Sequence, residues 1–387
     1  MTQQVRAWTH YTPPFPSTLA EVRAGVPEPL GAGELVVQVY AAALNPVDVQ
    51  LANLALFRLP ALQAHRGLGC DFAGKVVAVG SSARAHWTPG DAVMGVTLNP
   101  LGGPLSGTLS ELAVVDLARS CVVPKPAHLS FAEAASVPLA FLTAKTALSP
   151  QYLQLPPLSS SSSSSTIVVL GGATAVGIYV VQYARRVLGL DVVATASPRN
   201  AAFVESLGAT TVVDYTRGDV LARLVELRPR SGYASIVDCV GGTELVDHLA
   251  ALLSPRDAEA EAGVARGGGG SYTTIVGDKS SRARDRLGGS ITTWWSPRQA
   301  LRTWKGWCGW GPRYYCISLD TTHDEWLKEV DELTAPRSDR DGRGEGEGKL
   351  RVVIDDEFAF DQVPQAFEKL ASGTATGKIV VNVKKVD

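Results

Sequence analysis

Apolar residues follow two different patterns along the chain, and the change lies near residue 140. Before it, short apolar runs at 34–40, 71–80 and 110–115, and one after a turn at 89–91, are separated by Gly and Pro. Short runs with turn residues between them are typical of the strands of an antiparallel barrel. The first 140 residues are therefore predicted to form a barrel-like domain.

The second pattern begins with a helical segment at 131–148, in which Pro138 predicts a break. Apolar, β-branched runs then alternate with helical segments, and this rhythm is typical of a doubly wound parallel sheet. Its strands are predicted at 167–170, 192–195, 211–213, 235–238 and 272–275. After residue 349 we expect a strand at 350–354, a helix at 363–370 and a closing strand at 378–383 that rejoins the first domain.

These patterns predict two domains, one at 1–140 completed by 345–387 and one at 141–330. Three low-complexity inserts interrupt them: a serine tract within 156–165, an acidic stretch rich in Ala and Gly at 254–270, and a charged, Gly-rich stretch at 335–348. Because segments of this composition bury little apolar surface, the three inserts are predicted to be flexible loops without a catalytic role.

The stretch that joins the first parallel strand to its helix carries the clearest chemical signal. Gly171 and Gly172 permit a tight turn, and Gly177 allows the next helix to lie close to the strand. N–H groups at the start of that helix, at Ala175 and Val176, suit a pyrophosphate. The G-x-G-x-x-G fingerprint is not met literally, so an ordinary structural turn is the alternative.

The end of the second strand indicates which dinucleotide is bound. Ser197 lies 20 residues beyond Gly177, where NAD-binding chains carry an acidic residue for the ribose. Here a hydroxyl group and the guanidinium of Arg199 suit a 2′-phosphate, so NADP(H) is predicted; an exposed loop arginine is the alternative. Further strand-end residues expected to line the dinucleotide are Val240, Gly241 and Gly277.

Composition narrows the range of partners and locations. With 36 Lys and Arg against 38 Asp and Glu, the net charge of −2 is too balanced for a nucleic-acid-binding protein. No apolar run reaches the about 18 residues of a membrane span. The first residues lack a signal-peptide pattern, so the cytosol is the expected location. The five cysteines form no C-x-x-C pair and are expected to be buried small residues.

Motifs in a characteristic order resemble the medium-chain dehydrogenase/reductase superfamily, and within it the zinc-independent quinone oxidoreductase and enoyl reductase branch. The matching stretches are NPVD at 45–48, GCDFAG at 69–74, PGD at 89–91, GTLSE at 107–111, AASVPLAFLTA at 134–144, the glycine turn at 171–177, SPRN at 197–200, LGA at 207–209, DY at 214–215 and TGKIVV at 376–381. The resemblance implies an α/β chain with a GroES-like β-barrel catalytic domain and a Rossmann domain.

The resemblance also implies roles for single residues. Asn45 and Asp48 would lie near the nicotinamide and the substrate, with Thr143 on the nicotinamide side. An ordinary Asn-Pro turn and a helix-capping role for Asp48 are the alternatives. Zinc-dependent members have a Cys where Asn45 stands and Gly-His-Glu where this chain has Gly-Cys-Asp at 69–71, so no metal is expected.

On the cofactor side, four more residues belong to the matching motifs. Thr174 is expected to hydrogen-bond the pyrophosphate, and Asn200 continues the motif that begins at Ser197. Tyr215 would approach the adenosine 2′-phosphate or be a core aromatic. Lys378 would reach the cofactor or be solvated.

The predicted function is an NADPH-dependent, zinc-independent reductase that transfers hydride to a quinone or an activated alkene. The turn and the motif at 197–200 are most similar to fungal trans-acting enoyl reductases that partner polyketide synthases. The part from 276 onward is more similar to fungal relatives of the reticulon-interacting mitochondrial oxidoreductase. A trans-acting enoyl reductase and a non-catalytic NADPH-binding adaptor are the alternatives. The family implies a homodimer, and a mitochondrial or membrane-surface location stays open.

Five of the eight tryptophans fall within 294–310, interleaved with Arg298, Arg302 and Lys305. The favoured interpretation is a packed lobe over the substrate pocket or at a subunit contact, because Gly306 and Gly309 disfavour a helix. A basic aromatic helix on a membrane surface is the alternative.

Overall fold

The computed structural model describes residues 4–12, 15–54, 59–99, 101–153, 155, 165–255, 269–278, 296–338, 345–346 and 348–384. Most of the three predicted inserts, at 156–164, 256–268, 339–344 and 347, lies outside these ranges, so their flexibility stays a prediction.

Strands form two groups that correspond to the two sequence patterns. The strands of the first group are β1 (Gln4–His10), β2 (Ala20–Gly25), β3 (Glu34–Leu44), β4 (Arg66–Gly67), β5 (Asp71–Val79), β6 (Ala92–Thr97), β7 (Leu112–Asp116) and β8 (Ser120–Pro124). The strands of the second group are β9 (Thr166–Leu170), β10 (Asp191–Ala196), β11 (Thr211–Asp214), β12 (Ser235–Asp238), β13 (Ser271–Thr274) and β14 (Arg313–Cys316). The later strands are β15 (Arg337–Ser338), β16 (Glu345–Gly346), β17 (Ile354–Ala359) and β18 (Lys378–Asn382).

Helices connect or flank these strands. They are α1 (Pro46–Ala52), α2 (Phe131–Ala135), α3 (Pro138–Ala147), α4 (Ala175–Arg186), α5 (Pro198–Leu207), α6 (Val220–Leu227), α7 (Leu249–Leu252), α8 (Pro297–Trp307), α9 (Asp324–Thr334) and α10 (Val363–Ser372). The break predicted at Pro138 is confirmed, since α2 ends just before it and α3 begins with it. In the part of the chain that the structure describes, no helix combines the length and the apolar character needed to cross a bilayer.

The first group forms the predicted barrel-like domain. One sheet has the order β17-β18-β3-β5-β6-β8, with β7 also paired to β3, and a smaller sheet has the order β2-β1-β4. Residues 354–359 and 378–382 pair with each other, and β18 pairs antiparallel with β3, so the C-terminal segment does return to the first domain. Its apolar core includes Leu35, Val37 and Val39 of β3, which lie on the same face of the strand.

The strand predicted at 350–354 is wrong, because β17 begins only at Ile354. The Arg351 N–H donates to Gln182 Oε1 at 2.7 Å, and the Arg351 carbonyl oxygen accepts from Gln182 Nε2 at 3.1 Å. The Gln182 side chain of α4 thus occupies the N–H and carbonyl groups of Arg351 that would otherwise pair with a neighbouring strand. The described part of the insert at 335–348 is also partly ordered, since β15 and β16 form a short antiparallel pair.

The second group forms a parallel sheet with the order β11-β10-β9-β12-β13-β14. All five strands predicted here are confirmed to within one residue at each end. The sixth, β14, was not predicted, since its sequence Arg-Tyr-Tyr-Cys is not an apolar β-branched run. Counted within this sheet the order is 3-2-1-4-5-6, so the doubly wound Rossmann topology is confirmed.

Cysteines behave largely as predicted from their spacing. Cys70, Cys121 and Cys239 are buried, while Cys308 and Cys316 are half-buried, and all five are free thiols.

Candidate active site

The predicted nucleotide turn lies at the carboxyl end of β9, where the strand order reverses between β9 and β12. Gly171 has φ +84°, and a Cβ on Gly177 would lie 2.1 Å from the Gly171 carbonyl oxygen. Gly171 N–H donates to Thr195 Oγ1 at 2.8 Å, which ties the turn to β10. The N–H of Val176, in the first turn of α4, has no acceptor among the described residues. These features fit a dinucleotide pyrophosphate.

Thr174 is the N-cap of α4, and its hydroxyl group is occupied within the turn. It donates to the Gly171 carbonyl oxygen at 2.8 Å and accepts from the Gly177 N–H at 3.0 Å. Because its one proton is already donated, the predicted hydrogen bond from Thr174 to a pyrophosphate is not available in this geometry. Thr174 instead holds the start of the helix, which begins at Ala175.

Residues predicted to select the 2′-phosphate meet at one edge of the parallel sheet. β10 and β11 pair in a register that places Ala196 beside Asp214, so Ser197 and Tyr215 follow at neighbouring strand ends. Ser197 is the N-cap of α5, and among the described residues no hydrogen bond engages its hydroxyl group. Tyr215 is 52% exposed, which rules out the alternative of a core aromatic.

Arg199 and Asn200 lie in the first turn of α5 and contact the turn that precedes β18. Arg199 is exposed, and its Nη2 donates to the Thr374 carbonyl oxygen at 2.8 Å. Asn200 Oδ1 accepts from Thr376 Oγ1 at 3.4 Å. The bond to Thr374 uses one of the five N–H donors of the guanidinium, so Arg199 retains donors for an anion.

Val240, Gly241 and Gly277 lie at the ends of β12 and β13. The buried carboxylate of Asp238 accepts from the N–H groups of Val240 at 3.0 Å and Gly241 at 2.8 Å. A Cβ on Gly171 would lie 2.4 Å from Val240 Cγ2, so Val240 packs directly on the glycine turn. Gly277, with φ +77°, follows the neighbouring strand. The three residues therefore border the same strand-end crevice.

Asn45 belongs to a buried polar network at the end of β3. Lys378 Nζ lies 2.6 Å from Asn45 Oδ1, 2.8 Å from Asp71 Oδ2 and 3.1 Å from the Leu44 carbonyl oxygen. Asn45 Nδ2 donates to Asp71 Oδ2 at 3.0 Å. Lys378 is 2% exposed and has an acceptor for each of its three ammonium protons, so the prediction that it is solvated is wrong, while its contact with the cofactor stays a prediction.

Asn45 and Asp48 cap α1, so the capping alternative is confirmed and the simple turn is not. The Asn45 N–H donates to Asp48 Oδ2 at 2.7 Å, and Pro46 is the first helical residue. Asp48 Oδ1 is buried and has no hydrogen-bond partner among the described residues. Burial raises the pKa of Asp48 to about 6, although the Cys70 thiol, the Asn45 N–H and the Lys378 charge lower it.

Asp48 and Cys70 also line a small cleft in the barrel-like domain. The cleft continues along Leu51 and Ala52 of α1 and reaches Thr97 at the end of β6. The carboxyl group of Asp48 therefore stands at the border between the buried network and an open space.

Thr143 lies one turn into α3 and is connected to Asn45 through Asp71. Asp71 Oδ1 accepts from the Leu139 N–H at 2.8 Å, at the start of that helix. The Thr143 hydroxyl group donates to the Leu139 carbonyl oxygen at 2.7 Å and is 6% exposed. Thr143 can thus accept a hydrogen bond from a ligand but does not have a free proton to donate.

Two consecutive residues before and in β18 join the two halves of the site. Gly377 pairs with Thr174 of the glycine turn, and the next residue, Lys378, donates to Asn45. Gly377 has φ +94°, and a Cβ there would lie 2.6 Å from the Val353 carbonyl oxygen. The nucleotide turn and the Asn45 network, far apart in the sequence, are therefore neighbours in the fold.

Comparisons with known proteins agree with this geometry. Family models for an alcohol dehydrogenase GroES-like domain and a zinc-binding dehydrogenase match residues 31–127 and residues 175–280, and a second zinc-binding dehydrogenase model matches 344–381. The trans-enoyl reductase tazE of Aspergillus terreus is 34% identical over 227 residues, which cover 57% of this chain and 73% of that protein. The chain belongs to the medium-chain dehydrogenase/reductase superfamily.

Two further similarities extend over nearly the whole of this medium-chain oxidoreductase. The mitochondrial NAD(P)H oxidoreductase RTN4IP1 of Danio rerio is 29% identical over 369 residues, 90% of this chain and 84% of that protein. The quinone oxidoreductase structure from Coxiella burnetii covers 99% of this chain and 100% of its own, with a TM-score of 0.71 and 24% identity. The predicted family and the GroES-like plus Rossmann fold are confirmed.

The name of the family model raises the question of zinc, and the residues present do not fit a catalytic zinc ion. No group of three or more His, Cys, Asp or Glu side chains in the described ranges could hold a metal ion. The Lys378 ammonium lies between Asn45 and Asp71, where a second cation would be repelled. Burial raises the pKa of the Cys70 thiol, which disfavours the thiolate that zinc binds.

Sequence reasoning missed three residues that shape this medium-chain site. Asp71 was noted only as part of a motif, Asp238 was not assigned, and Thr195 was treated as part of a strand. Asp238 had a readable signal, because the sequence Asp-Cys-Val-Gly-Gly at the end of a buried strand favours a side-chain-capped turn. Asp71 and Thr195 had none, since their partners come from distant segments.

Proposed function

We propose that this oxidoreductase is an NADPH-dependent, zinc-independent reductase that transfers hydride to a quinone or to an activated alkene such as an enone. The observation that carries the cofactor part is the register of β10 and β11. It brings Ser197 and Tyr215 to neighbouring strand ends beside the exposed guanidinium of Arg199.

The charges at the carboxyl ends of β10 and β11 favour a ribose that carries a 2′-phosphate over one with a free 2′-hydroxyl group. The one carboxylate at the two strand ends, Asp214, accepts from the N–H and the hydroxyl group of Thr216 at 2.8 and 2.7 Å. It is the last residue of β11 and not of β10, the strand whose end holds the ribose-binding acid in NAD-dependent Rossmann domains. A hydroxyl group and a guanidinium are therefore available for the ribose position, and no acid stands at the carboxyl end of β10.

When bound, the cofactor supplies a hydride from its nicotinamide ring. The chain binds the pyrophosphate at the glycine turn and the start of α4, and the 2′-phosphate at Ser197 and Arg199. Asn45 and Asp48 act as positioning residues, because the amide of Asn45 is fully engaged by Asp71, Lys378 and the Ala43 carbonyl oxygen. Thr143 offers its hydroxyl oxygen to the nicotinamide side.

A panel of acceptors tests the reaction by following the loss of NADPH absorbance. Quinones and small enones should oxidise NADPH, and NADH should be the poorer donor. Tight NADPH binding without oxidation by any acceptor would contradict the reductase and favour the non-catalytic adaptor.

The second candidate is a trans-acting enoyl reductase that partners a polyketide synthase. It is favoured by the similarity to tazE, a protein named as a trans-enoyl reductase. The panel therefore includes enoyl thioesters on a carrier protein beside the free enones. Turnover restricted to the carrier-bound thioester would favour this candidate, and equal turnover of free enones would count against it.

Arg199→Ala tests the choice between NADPH and NADH. Loss of one charge-assisted hydrogen bond should raise the KM for NADPH by roughly tenfold or more, and the KM for NADH should be unchanged. Arg230→Ala, at another exposed position, is the matched control. Equal losses with both cofactors would refute the assignment of Arg199 to the 2′-phosphate.

A further inference from the structure

Helix α8 carries its apolar residues on the wrong side for a helix that packs on a globular core. Its inward face holds Gln299, 2% exposed, and the buried Gly306. Its outward face holds Leu301, Trp304 and Trp307, which are 49%, 46% and 75% exposed. In most surface helices the apolar stripe faces the core, so this reversed arrangement calls for a partner.

Polar contacts, not apolar ones, anchor the inward side of α8. Arg302 Nη1 lies 2.8 Å from both carboxylate oxygens of Asp278. Ser296, the N-cap of α8, donates to the same carboxylate at 3.1 Å, and so does the Tyr314 hydroxyl group of β14, also at 3.1 Å. These bonds fix the orientation of the helix, so its outward face is presented to the surroundings as a rigid surface.

The end of α8 adds a fourth apolar side chain to that surface. The backbone N–H of Trp310 donates to the Lys305 carbonyl oxygen at 2.9 Å, and Gly309 has φ +81°, as in a Schellman motif. Trp310, 70% exposed, meets Trp304 edge to face with ring centroids 5.0 Å apart. The prediction that Gly306 and Gly309 disfavour a helix here is wrong, because α8 includes Gly306 and ends just before Gly309.

We define the aromatic face as Leu301, Trp304, Trp307 and Trp310. Residues 296–313 contain four cations and no Asp or Glu, although the whole chain has a net charge of −2. Arg302 is paired with Asp278, whereas Arg298 and Lys305 are exposed and have no ion-pair partner among the described residues. At 100° per residue both lie on the same flank of the helix, beside the aromatic face.

Charge and shape together argue for one kind of partner. A second copy meeting this face with the two helices antiparallel would bring the basic flanks of both helices together, which is unfavourable. Trp307 and Trp310 protrude from the surface, so a folded protein partner would need matching pockets, whereas a fluid lipid interface admits protruding indoles. Trp side chains prefer such interfaces, and Lys and Arg beside them attract anionic headgroups.

We propose that the aromatic face docks the enzyme peripherally on an anionic lipid bilayer, with Arg298 and Lys305 against the headgroups. The indoles enter the interfacial region, and the rest of the fold stays in water. This association does not depend on the proposed function, because α8 lies outside the residues assigned to the nucleotide.

Flotation of the full chain with vesicles tests the proposal. Vesicles of phosphatidylcholine with phosphatidylserine should carry the protein upward, vesicles of phosphatidylcholine alone should not, and added salt should weaken the binding. Arg298→Glu with Lys305→Glu should lower the partition coefficient by roughly thirtyfold or more. Trp307→Ser with Trp310→Ser should lower it by roughly tenfold or more.

Matched controls separate the surface from general charge effects. Arg84→Glu with Arg230→Glu changes the net charge by the same amount at exposed positions away from α8, and its flotation should equal that of the unchanged chain. Failure of the intact chain to float with anionic vesicles would overturn the proposal. Equal losses of vesicle binding in both charge-reversed variants would also overturn it. So would a dimer, detected by sedimentation, that is abolished only by Trp307→Ser with Trp310→Ser.

Discussion

The Asp48 carboxyl group is buried beside Cys70, so its ionisation is coupled to folding. Its pKa is raised from 3.8 to about 6 by burial. A carboxyl group with a raised folded pKa stabilises the fold below its unfolded pKa, and this stabilisation is lost as the pH rises through the folded value. The relevant window is therefore about pH 4 to 6.

Replacing Asp48 with Asn should remove this pH dependence while keeping an acceptor for the Asn45 N–H. When the pH is raised from 5 to 7.5, the free energy of unfolding of the unchanged chain should fall by about 1.5 kcal/mol more than that of Asp48→Asn, so the variant gains that amount relative to the unchanged chain. Urea unfolding at the two pH values measures it. Asp247→Asn, at an exposed position, is the control, and an equal gain there would contradict the coupling.

At the scale of elements, the N-terminus of α4 is held by a residue first assigned to ligand binding. Thr174 makes both of its hydrogen bonds inside the turn that it caps. Its effect on the cofactor should therefore pass through the stability and geometry of the helix start.

Thr174→Ala should lower the free energy of unfolding by about 1 kcal/mol even without cofactor, because an N-cap is lost. Thr174→Ser keeps the hydroxyl group and should stay close to the unchanged chain. Thermal unfolding of the cofactor-free protein provides the measurement. A weaker NADPH affinity with unchanged stability in Thr174→Ala would instead support direct contact with the pyrophosphate.

At the scale of the whole molecule, Lys378 and Asp71 connect the C-terminal strand β18 to β5, and Asp71 also connects to α3. A buried ion pair with one partner removed leaves an uncompensated charge, which costs about 3–5 kcal/mol. Removing either partner alone is thus expected to destabilise the fold, while the intact pair makes only a small net contribution to stability.

Lys378→Met and Asp71→Asn should each lower stability by about 3 kcal/mol or more, and the double variant should lose less than the sum of the two. A double-mutant cycle in urea measures the coupling. The same cycle on the exposed pair Lys328 and Asp324 should give below about 1 kcal/mol. Additive losses at Lys378 and Asp71 would contradict the network.

Also at this scale, the cytosolic location and the homodimer remain predictions from sequence and family. The proposed membrane contact of α8 is compatible with the open membrane-surface alternative. It needs no spanning helix.

Local pattern was sufficient for the architecture. The five parallel strands at 167–170, 192–195, 211–213, 235–238 and 272–275 could be predicted because strands buried on both faces are apolar runs. The glycine turn could be predicted because the backbone geometry at Gly171 and the close approach at Gly177 demand glycine whatever surrounds them. The strand β14 and the start of β17 could not, because their pairing depends on distant segments.

The sequence by itself determined the family, the two-part fold and the position of the nucleotide turn, since each follows from local periodicity or from motifs in order. Only the tertiary structure decided what Lys378, Thr174 and the tryptophans of α8 do. Burial turned Lys378 from a solvated cation into the partner of Asp71 and Asn45. The orientation of α8 was set by Asp278 and Tyr314, which turned its indoles outward. Hydrogen-bond partners and exposure depend on contacts between segments far apart in the chain, and no local pattern records those contacts.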